Sequence, residues 1–217
     1  MMKTICVYCS SSEAVDPVYF QAARSLGEEL SSRGCRLIYG AGAIGLMGAC
    51  ARTVRDGGSP VTGVIPEALN RPGIVFEECD DLMVTGTMGE RKALMFGNAD
   101  GFVALPGGYG TLEELLEIIT LKQLHYHEKP IVMLNTGGFF DPLIAMFERI
   151  IEERFAKPGC RGLYRVTDCP REALDYIETY QPGPREEKWF SGAGGSPEET
   201  DGSGNGEQEK ENHDIYR

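Results

Sequence analysis

The feature that most constrains the fold is a short apolar segment followed by a glycine-rich turn and a helix-forming segment. Residues 101–105 are apolar and bounded by glycine and proline, which predicts a buried strand. Beyond the turn at 106–110, apolar residues recur at helical spacing between 112 and 121, which predicts an amphipathic helix ending near His125. A strand, a glycine-rich turn and a helix N-terminus in this order attract phosphate, because unpaired N–H donors and the helix dipole both favour an anion.

Two polar residues stand three apart at the start of this helix, Thr111 and Glu114. One interpretation is a capping box, in which Thr111 accepts from the Glu114 N–H and Glu114 reaches back to Thr111. In the other, the Thr111 hydroxyl donates to a bound phosphate while the Glu114 carboxylate points into a ligand cleft. The spacing alone leaves both open.

Strand-like and helix-like segments alternate about six or seven times along the chain. This alternation predicts an α/β, Rossmann-like, doubly wound and mainly parallel sheet of six or seven strands flanked by helices. Ligands of such sheets bind outside the carboxyl ends of the strands. Residues 10–12, 40–48 and 107–111 would meet at that edge. The serines at 10–12 are either a plain loop or hydroxyl donors to a ligand.

The segment after the second predicted strand matches G-x-G-x-x-G at Gly40, Gly42 and Gly45. A dinucleotide fingerprint normally follows the first strand and needs an acidic residue about 20 positions on. Here the next strand ends in Glu67, which is late and follows a proline. The pattern therefore favours a mononucleotide or phosphate site over a nicotinamide dinucleotide site.

A short helix is predicted over residues 87–96, where Thr87 and Glu90 have capping-box spacing. One face of this helix mixes cations with thioethers: Met88, Arg91, Lys92 and Met95. These cations are either extended along the edge of a core or part of a functional face. An acidic protein that binds phosphate needs a local positive site, for which Arg91 and Lys92 are the candidates.

Charge and hydropathy exclude some classes of partner. The net charge of −12 argues against general affinity for nucleic acids. No apolar run is long enough to predict a membrane span, and the N-terminal apolar segment is too short for a signal peptide. We therefore expect neither nucleic acid nor a membrane as a partner.

Seven cysteines, odd in number and scattered through the predicted elements, predict a reducing, cytoplasmic setting. Cys6 and Cys9 form a C-x-x-C pattern, but residues three apart on a strand face opposite sides of the sheet. His125 and His127 do not share a helix face. We therefore expect no metal site from either pair.

The composition changes at about residue 181. Residues 181–217 are rich in Gly, Ser, Glu and Pro, and 185–217 carry a net charge of −5. Such a segment buries too little apolar surface to offset its ordering entropy, which predicts a disordered acidic tail with Trp189 and Phe190 as its candidate docking residues. Residues 1–180 are predicted to form a single domain.

Four segments together resemble the lonely guy family of cytokinin riboside 5′-monophosphate phosphoribohydrolases, formerly described as lysine decarboxylases. They read Y-G-A-G-A-I-G-L-M-G at 39–48, M-G-E-R-K at 88–92, P-G-G-Y-G-T-L-E-E at 106–114 and Q-L-H-Y-H-E-K-P at 123–130. The resemblance covers roughly residues 3–180. Its departures include Ala41, Gly89 and Leu121, where the family often has glycine, histidine and tryptophan.

The resemblance implies a Rossmann-like homodimer with active sites near the subunit interface. It also implies hydrolysis of the N-glycosidic bond of an adenosine-type 5′-monophosphate, without a cofactor, to free base and ribose 5-phosphate. By motif match, Arg91 and Glu114 take the catalytic positions. The phosphate-binding residues would be Gly108, Tyr109, Gly110 and Thr111, with Lys92 and Thr120 lining the site. The further substrate-binding candidates are Met88, Gly42, Gly45 and Ser10.

These residue types suit that chemistry. Departure of the base gives the ribose oxocarbenium character, which the Glu114 carboxylate would stabilise while it orients or deprotonates a water. Arg91 would hold the phosphate or ribose and position Glu114. The alternatives are a non-catalytic nucleotide or molybdenum-cofactor carrier of the same fold and an NAD-dependent enzyme, which the lack of an acidic residue for the ribose disfavours.

Overall fold

The computed structural model describes residues 2–183, which form a seven-stranded sheet flanked by six α-helices. The strands are β1 Thr4–Tyr8, β2 Arg36–Tyr39, β3 Val61–Pro66, β4 Asp81–Thr85, β5 Gly101–Ala104, β6 Ile131–Leu134 and β7 Arg165–Thr167. The helices are α1 Pro17–Ser32, α2 Gly45–Asp56, α3 Met88–Asn98, α4 Tyr109–Gln123, α5 Asp141–Glu152 and α6 Pro170–Thr179. Short 3₁₀ helices cover Glu67–Leu69, Thr136–Gly138 and Pro158–Leu163.

The strand order is β4-β3-β2-β1-β5-β6-β7, and all six neighbouring pairs are parallel. The chain winds outward from β1 to β4, then crosses to β5 on the other side of β1. This reversal creates a topological switch point between β1 and β5, where ligands of open α/β sheets bind. The predicted doubly wound parallel sheet is confirmed.

Two hydrophobic cores lie on the two faces of the sheet. One contains buried residues of α1, α2 and α6, and the other contains residues of α3, α4 and α5. Side chains alternate between the faces, as strand geometry requires. Cys6 packs in one core and Cys9 in the other, so the expectation that this pair faces opposite sides is confirmed.

Local rules account for several element boundaries. Asp16 caps α1 by accepting from the Val18 N–H at 3.0 Å, and Pro17 occupies the first helical position. The helix after β6 ends at Glu152, and the chain turns left-handed at Arg154 with φ 65°. Residues 184–217, which are most of the predicted acidic tail, lie outside the described part of the chain.

Within residues 2–183, no helix is long and apolar enough to cross a membrane. The seven cysteines all fall in this part of the chain and are free thiols.

Candidate active site

A buried ion pair joins two helices at the carboxyl edge of the sheet. Arg91 lies in the first turns of α3 and Glu114 in the second turn of α4. The Arg91 Nη1 donates to Glu114 Oε1 at 3.1 Å. The residues are only 7% and 5% exposed. The helices run antiparallel to the strands, so both begin at the edge where ligands bind.

The rest of the arginine side chain is also held. Arg91 Nε donates to the carbonyl oxygen of Val64, in β3, at 3.0 Å. The guanidinium therefore has fixed partners on a strand and on a helix. The Val64 carbonyl was not predicted as part of the site, and a backbone acceptor has no sequence signature that could identify it.

The environment of Glu114 tunes its acidity. Burial raises the pKa of its carboxyl from 4.5 to about 7, and the Arg91 guanidinium opposes that rise only in part. A carboxyl group with a pKa near neutrality exchanges a proton readily at pH 7, as a general acid or base requires.

The start of α4 decides between the two interpretations of Thr111 and Glu114. The N-cap residue is Gly108, and no side chain caps the helix. Thr111 lies within the helix, and the Glu114 carboxylate pairs with Arg91 instead. The capping-box interpretation is therefore wrong, because α4 begins at Tyr109, earlier than that box would require.

The first turn of α4 offers donors for an anion. Leu112 N donates to the Gly108 carbonyl at 3.1 Å, so the N–H groups of residues 109–111 precede the first intrahelical bond. Thr111 is buried, and its hydroxyl packs where a Cβ on Gly107 would lie. Tyr109 is 94% exposed beside this turn. The glycines and Thr111 thus lie at the start of α4, one turn before Glu114.

Of three further predicted site residues, Lys92 and Met88 lie on α3 close to Arg91 in the chain, whereas Thr120 lies further along α4. The Lys92 ammonium forms ion pairs with Glu113 and, at 3.2 Å, with Glu117 of α4. It therefore ties α3 to α4. Thr120 is exposed on α4, about 9 Å along the axis from Glu114. Met88 is 46% exposed at the first position of α3.

The G-x-G-x-x-G loop and the helix that follows it are hydrogen-bonded to the protein's own backbone after β1. Met47 N in α2 donates to the Ser10 carbonyl at 3.2 Å, and the Ser10 hydroxyl accepts from Ser12 N at 3.0 Å. Gly45 adopts a φ of 62°, and a Cβ there would meet the Ser10 carbonyl at 2.8 Å. The α2 N-terminus is therefore packed against the loop after β1, where a dinucleotide fingerprint would place its pyrophosphate.

A second segment pairs with the same loop. Gly42 forms an antiparallel bridge with Val75, and Ala43 N donates to the Ile74 carbonyl at 2.8 Å. Phe76 N donates to the Ala41 carbonyl, also at 2.8 Å. Residues 74–76 thus cover the glycine loop, a contact that sequence reasoning did not anticipate because no periodic pattern marks it.

Groups of three or more His, Cys, Asp or Glu side chains that could hold a metal ion are absent from the described part of the chain. The potential ligands around Glu114 are instead engaged in ion pairs with Arg91 and Lys92.

The chain is similar in sequence to a defined protein family and to several named proteins. The family model described as "possible lysine decarboxylase" matches residues 47–177. A probable cytokinin riboside 5′-monophosphate phosphoribohydrolase of Oryza sativa subsp. japonica is 47% identical over 176 residues, covering 81% of this chain and 79% of that protein. A cytokinin riboside 5′-monophosphate phosphoribohydrolase of Arabidopsis thaliana is 42% identical over 180 residues, covering 83% and 84%.

Among solved structures, a molybdenum cofactor carrier protein from Chlamydomonas reinhardtii matches with a TM-score of 0.63 and 22% identity, covering 82% of this chain and 97% of that one. That likeness concerns the fold alone. The close sequence relatives, together with the buried arginine–glutamate pair beside the glycine turn, place this chain in the family of cytokinin riboside 5′-monophosphate phosphoribohydrolases.

Proposed function

We propose that this protein hydrolyses the N-glycosidic bond of a cytokinin riboside 5′-monophosphate or AMP, releasing the free base and ribose 5-phosphate. The observation that carries the proposal is the buried Arg91–Glu114 pair next to the open N-terminus of α4. The relatives named for this activity, at 40–47% identity, support it.

The α4 N-terminus and the Thr111 hydroxyl bind the 5′-phosphate, because backbone N–H groups and the helix dipole favour an anion there. This anchoring directs the ribose toward Glu114, one turn further along the helix. The phosphate is thereby a handle that positions the glycosidic bond at the carboxylate.

At the reacting carbon, departure of the base leaves positive charge on the ribose ring, which the Glu114 carboxylate stabilises. A water then adds its oxygen to C1′, and Glu114 accepts the proton that the water loses. The departing base carries away the electron pair of the broken bond and takes up a proton. Arg91 orients Glu114 through the 3.1 Å hydrogen bond, and its positive charge stabilises the Glu114 carboxylate.

The main alternative is a non-catalytic carrier of a nucleotide or of the molybdenum cofactor. Its support is the shared fold of the Chlamydomonas reinhardtii carrier. A carboxylate beside the anion site gains nothing for a carrier of an anion, since like charges repel. The Arg91–Glu114 pair therefore favours catalysis.

The working form is a homodimer in the cytoplasm, with the active sites near the subunit interface. The outer faces of α4 and α5 and the turn after α5 expose Leu116, Met146 and Phe155, the last being 82% exposed. Exposed apolar side chains of this kind favour a protein interface. Seven free thiols suit a reducing compartment. Light scattering after gel filtration tests the dimer, and a monomer at micromolar concentration would contradict it.

The test of the activity is base release from AMP and, separately, from isopentenyladenosine 5′-monophosphate. We expect release by the wild type and a loss of about 10²–10⁴-fold in Glu114→Gln, which keeps the size of the side chain and removes the carboxylate. The ratio of the two rates identifies the preferred base. Saturable nucleotide binding with no release from either substrate would instead support the carrier.

A further inference from the structure

We propose that Gly40, the first glycine of the G-x-G-x-x-G loop, is a positioning residue that seats the Arg91 guanidinium against Glu114. The geometry of this seat stands independently of the reaction, whereas its effect on turnover rests on the proposed function. The loop that resembles a dinucleotide fingerprint thus leaves space for the Arg91 guanidinium at its first glycine.

The Arg91 guanidinium occupies the space that a side chain at position 40 would need. A Cβ built on Gly40 would overlap Arg91 Nη2 and lie 3.1 Å from Arg91 Cζ. Tyr39 pairs with Gly63 in the register between β2 and β3, so Gly40 follows beside Val64. Arg91 therefore packs across the carboxyl ends of both strands, over a position that has no side chain.

The three guanidinium nitrogens have three different neighbours. Nε donates to the Val64 carbonyl at 3.0 Å, and Nη1 donates to Glu114 at 3.1 Å. Nη2 lies against the Gly40 backbone. A planar group held at two nitrogens cannot withdraw from the third neighbour without breaking one of the two hydrogen bonds. Arg91 is also only 7% exposed, which leaves the side chain little room to move.

The backbone at Gly40 does not itself require glycine. Gly40 is absent from the positive-φ residues of the described chain, whereas Gly45 in the same loop has a φ of 62°. An L residue at 40 would therefore avoid the strain of the left-handed region. The requirement at position 40 is therefore for space and not for backbone freedom, so a substitution there acts through Arg91.

The consequence falls on Glu114. A methyl group at 40 pushes the guanidinium away, which lengthens or breaks the hydrogen bond to the carboxylate. Burial raises the pKa of the Glu114 carboxyl, and a more distant arginine lowers that pKa less, so the pKa rises further. The other charged groups near this carboxyl remain in place: Glu113, Lys92 and Glu117.

The experiment compares Gly40→Ala with Gly27→Ala. Gly27 lies in α1, where a Cβ would meet Thr53 Cβ at 2.8 Å on the opposite face of the sheet. Gly27→Ala therefore also forces a side chain into a close packing contact, but without touching Arg91. We expect Gly40→Ala to lower kcat about 100-fold, the effect of a misplaced catalytic group, while Gly27→Ala changes it less than about threefold.

A second measurement does not depend on turnover. The pKa of the Glu114 carboxyl is measured by ¹³C NMR titration of the ligand-free protein. We expect Gly40→Ala to raise that pKa by about one unit or more and Gly27→Ala to leave it unchanged. An unchanged pKa in Gly40→Ala would show that Gly40 does not position the Arg91 guanidinium against Glu114. A wild type that releases no base overturns the proposed function and leaves the pKa comparison valid.

A double-mutant cycle covers the case in which Gly40→Ala folds poorly. Arg91→Ala removes the group that the new methyl would strike, so Gly40→Ala should lower Tm less in the Arg91→Ala background than in the wild type. An equal loss of Tm in both backgrounds would contradict the proposal, because the methyl group would then clash with a group other than Arg91.

Discussion

Glu114 Oε1 lies 3.1 Å from Nη1 of Arg91, and both residues are more than nine-tenths buried. The pair connects α3 and α4, which begin at the same edge of the sheet on either side of β5 in the chain. A buried ion pair is costly to form, because both charges lose their hydration. Its position beside the open first turn of α4 supports the role in binding and chemistry that we propose for it.

Replacing Arg91 by lysine should abolish most of the activity while keeping the positive charge. A lysine ammonium cannot reach both the Val64 carbonyl and Glu114 with the fixed geometry of a guanidinium. We expect base release to fall by about 100-fold or more. Steady-state rates with AMP measure the loss. Rates within a factor of three of the wild type would show that only the charge at position 91 matters.

The acidity of Glu114 predicts a specific pH profile. Its pKa is raised to about 7 by burial, and the carboxylate is the form that accepts a proton from water. The kcat/KM for hydrolysis should therefore fall about tenfold for each pH unit below about pH 7. The residual rate of Glu114→Gln should lack this dependence. A wild-type profile that stays flat from pH 5 to pH 8 would remove Glu114 as the base.

The Thr111 hydroxyl should contribute to phosphate recognition. Thr111→Val preserves the shape of the side chain and removes the donor. A hydrogen bond to a charged group contributes about 1.5–3 kcal/mol, so we expect KM for AMP to rise about 10–100-fold with a smaller change in kcat. Thr111→Ser is the matched control and should stay near wild type. Equal KM values for Thr111→Val and wild type would place the phosphate elsewhere.

A second buried titratable group should affect stability. His127 is buried beside Phe96 and Phe102; its Nε2–H donates to the Ile118 carbonyl at 2.8 Å, and its Nδ1 accepts from Lys129 N at 3.1 Å. Burial lowers its pKa from 6.5 to about 4. Between these values the unfolded chain binds a proton that the folded chain does not, so this histidine lowers the free energy of unfolding as pH falls.

We expect His127 to lower the free energy of unfolding by about 2 kcal/mol between pH 7.5 and pH 5. Glu114 acts in the opposite direction, because its raised pKa makes the folded chain bind a proton that the unfolded chain releases. The two effects partly cancel in the wild type. Urea unfolding of His127→Gln at both pH values separates them, and an identical pH dependence in that variant and the wild type would contradict the assignment.

Local sequence rules were sufficient for much of the fold. Asp16 and Pro17 are local signals that coincide with the start of α1, and the alternation of strand and helix patterns predicted the parallel sheet. These features depend on neighbours within a few residues, so they can be recognised along the chain. The same rules could not decide between the two interpretations of Thr111 and Glu114, because Glu114 pairs with Arg91, 23 residues away in the chain, and does not cap α4.

By itself, the sequence determined the element types, the class of sheet and the edge at which the glycine-rich turn lies, because these follow from short-range periodicity and from the shared direction of parallel strands. Only the tertiary structure decided the partners. Arg91 and Glu114 are 23 residues apart in the chain, and Gly40, directly after β2, packs against Arg91 of α3. Such contacts depend on strand order and helix packing, which local periodicity does not determine.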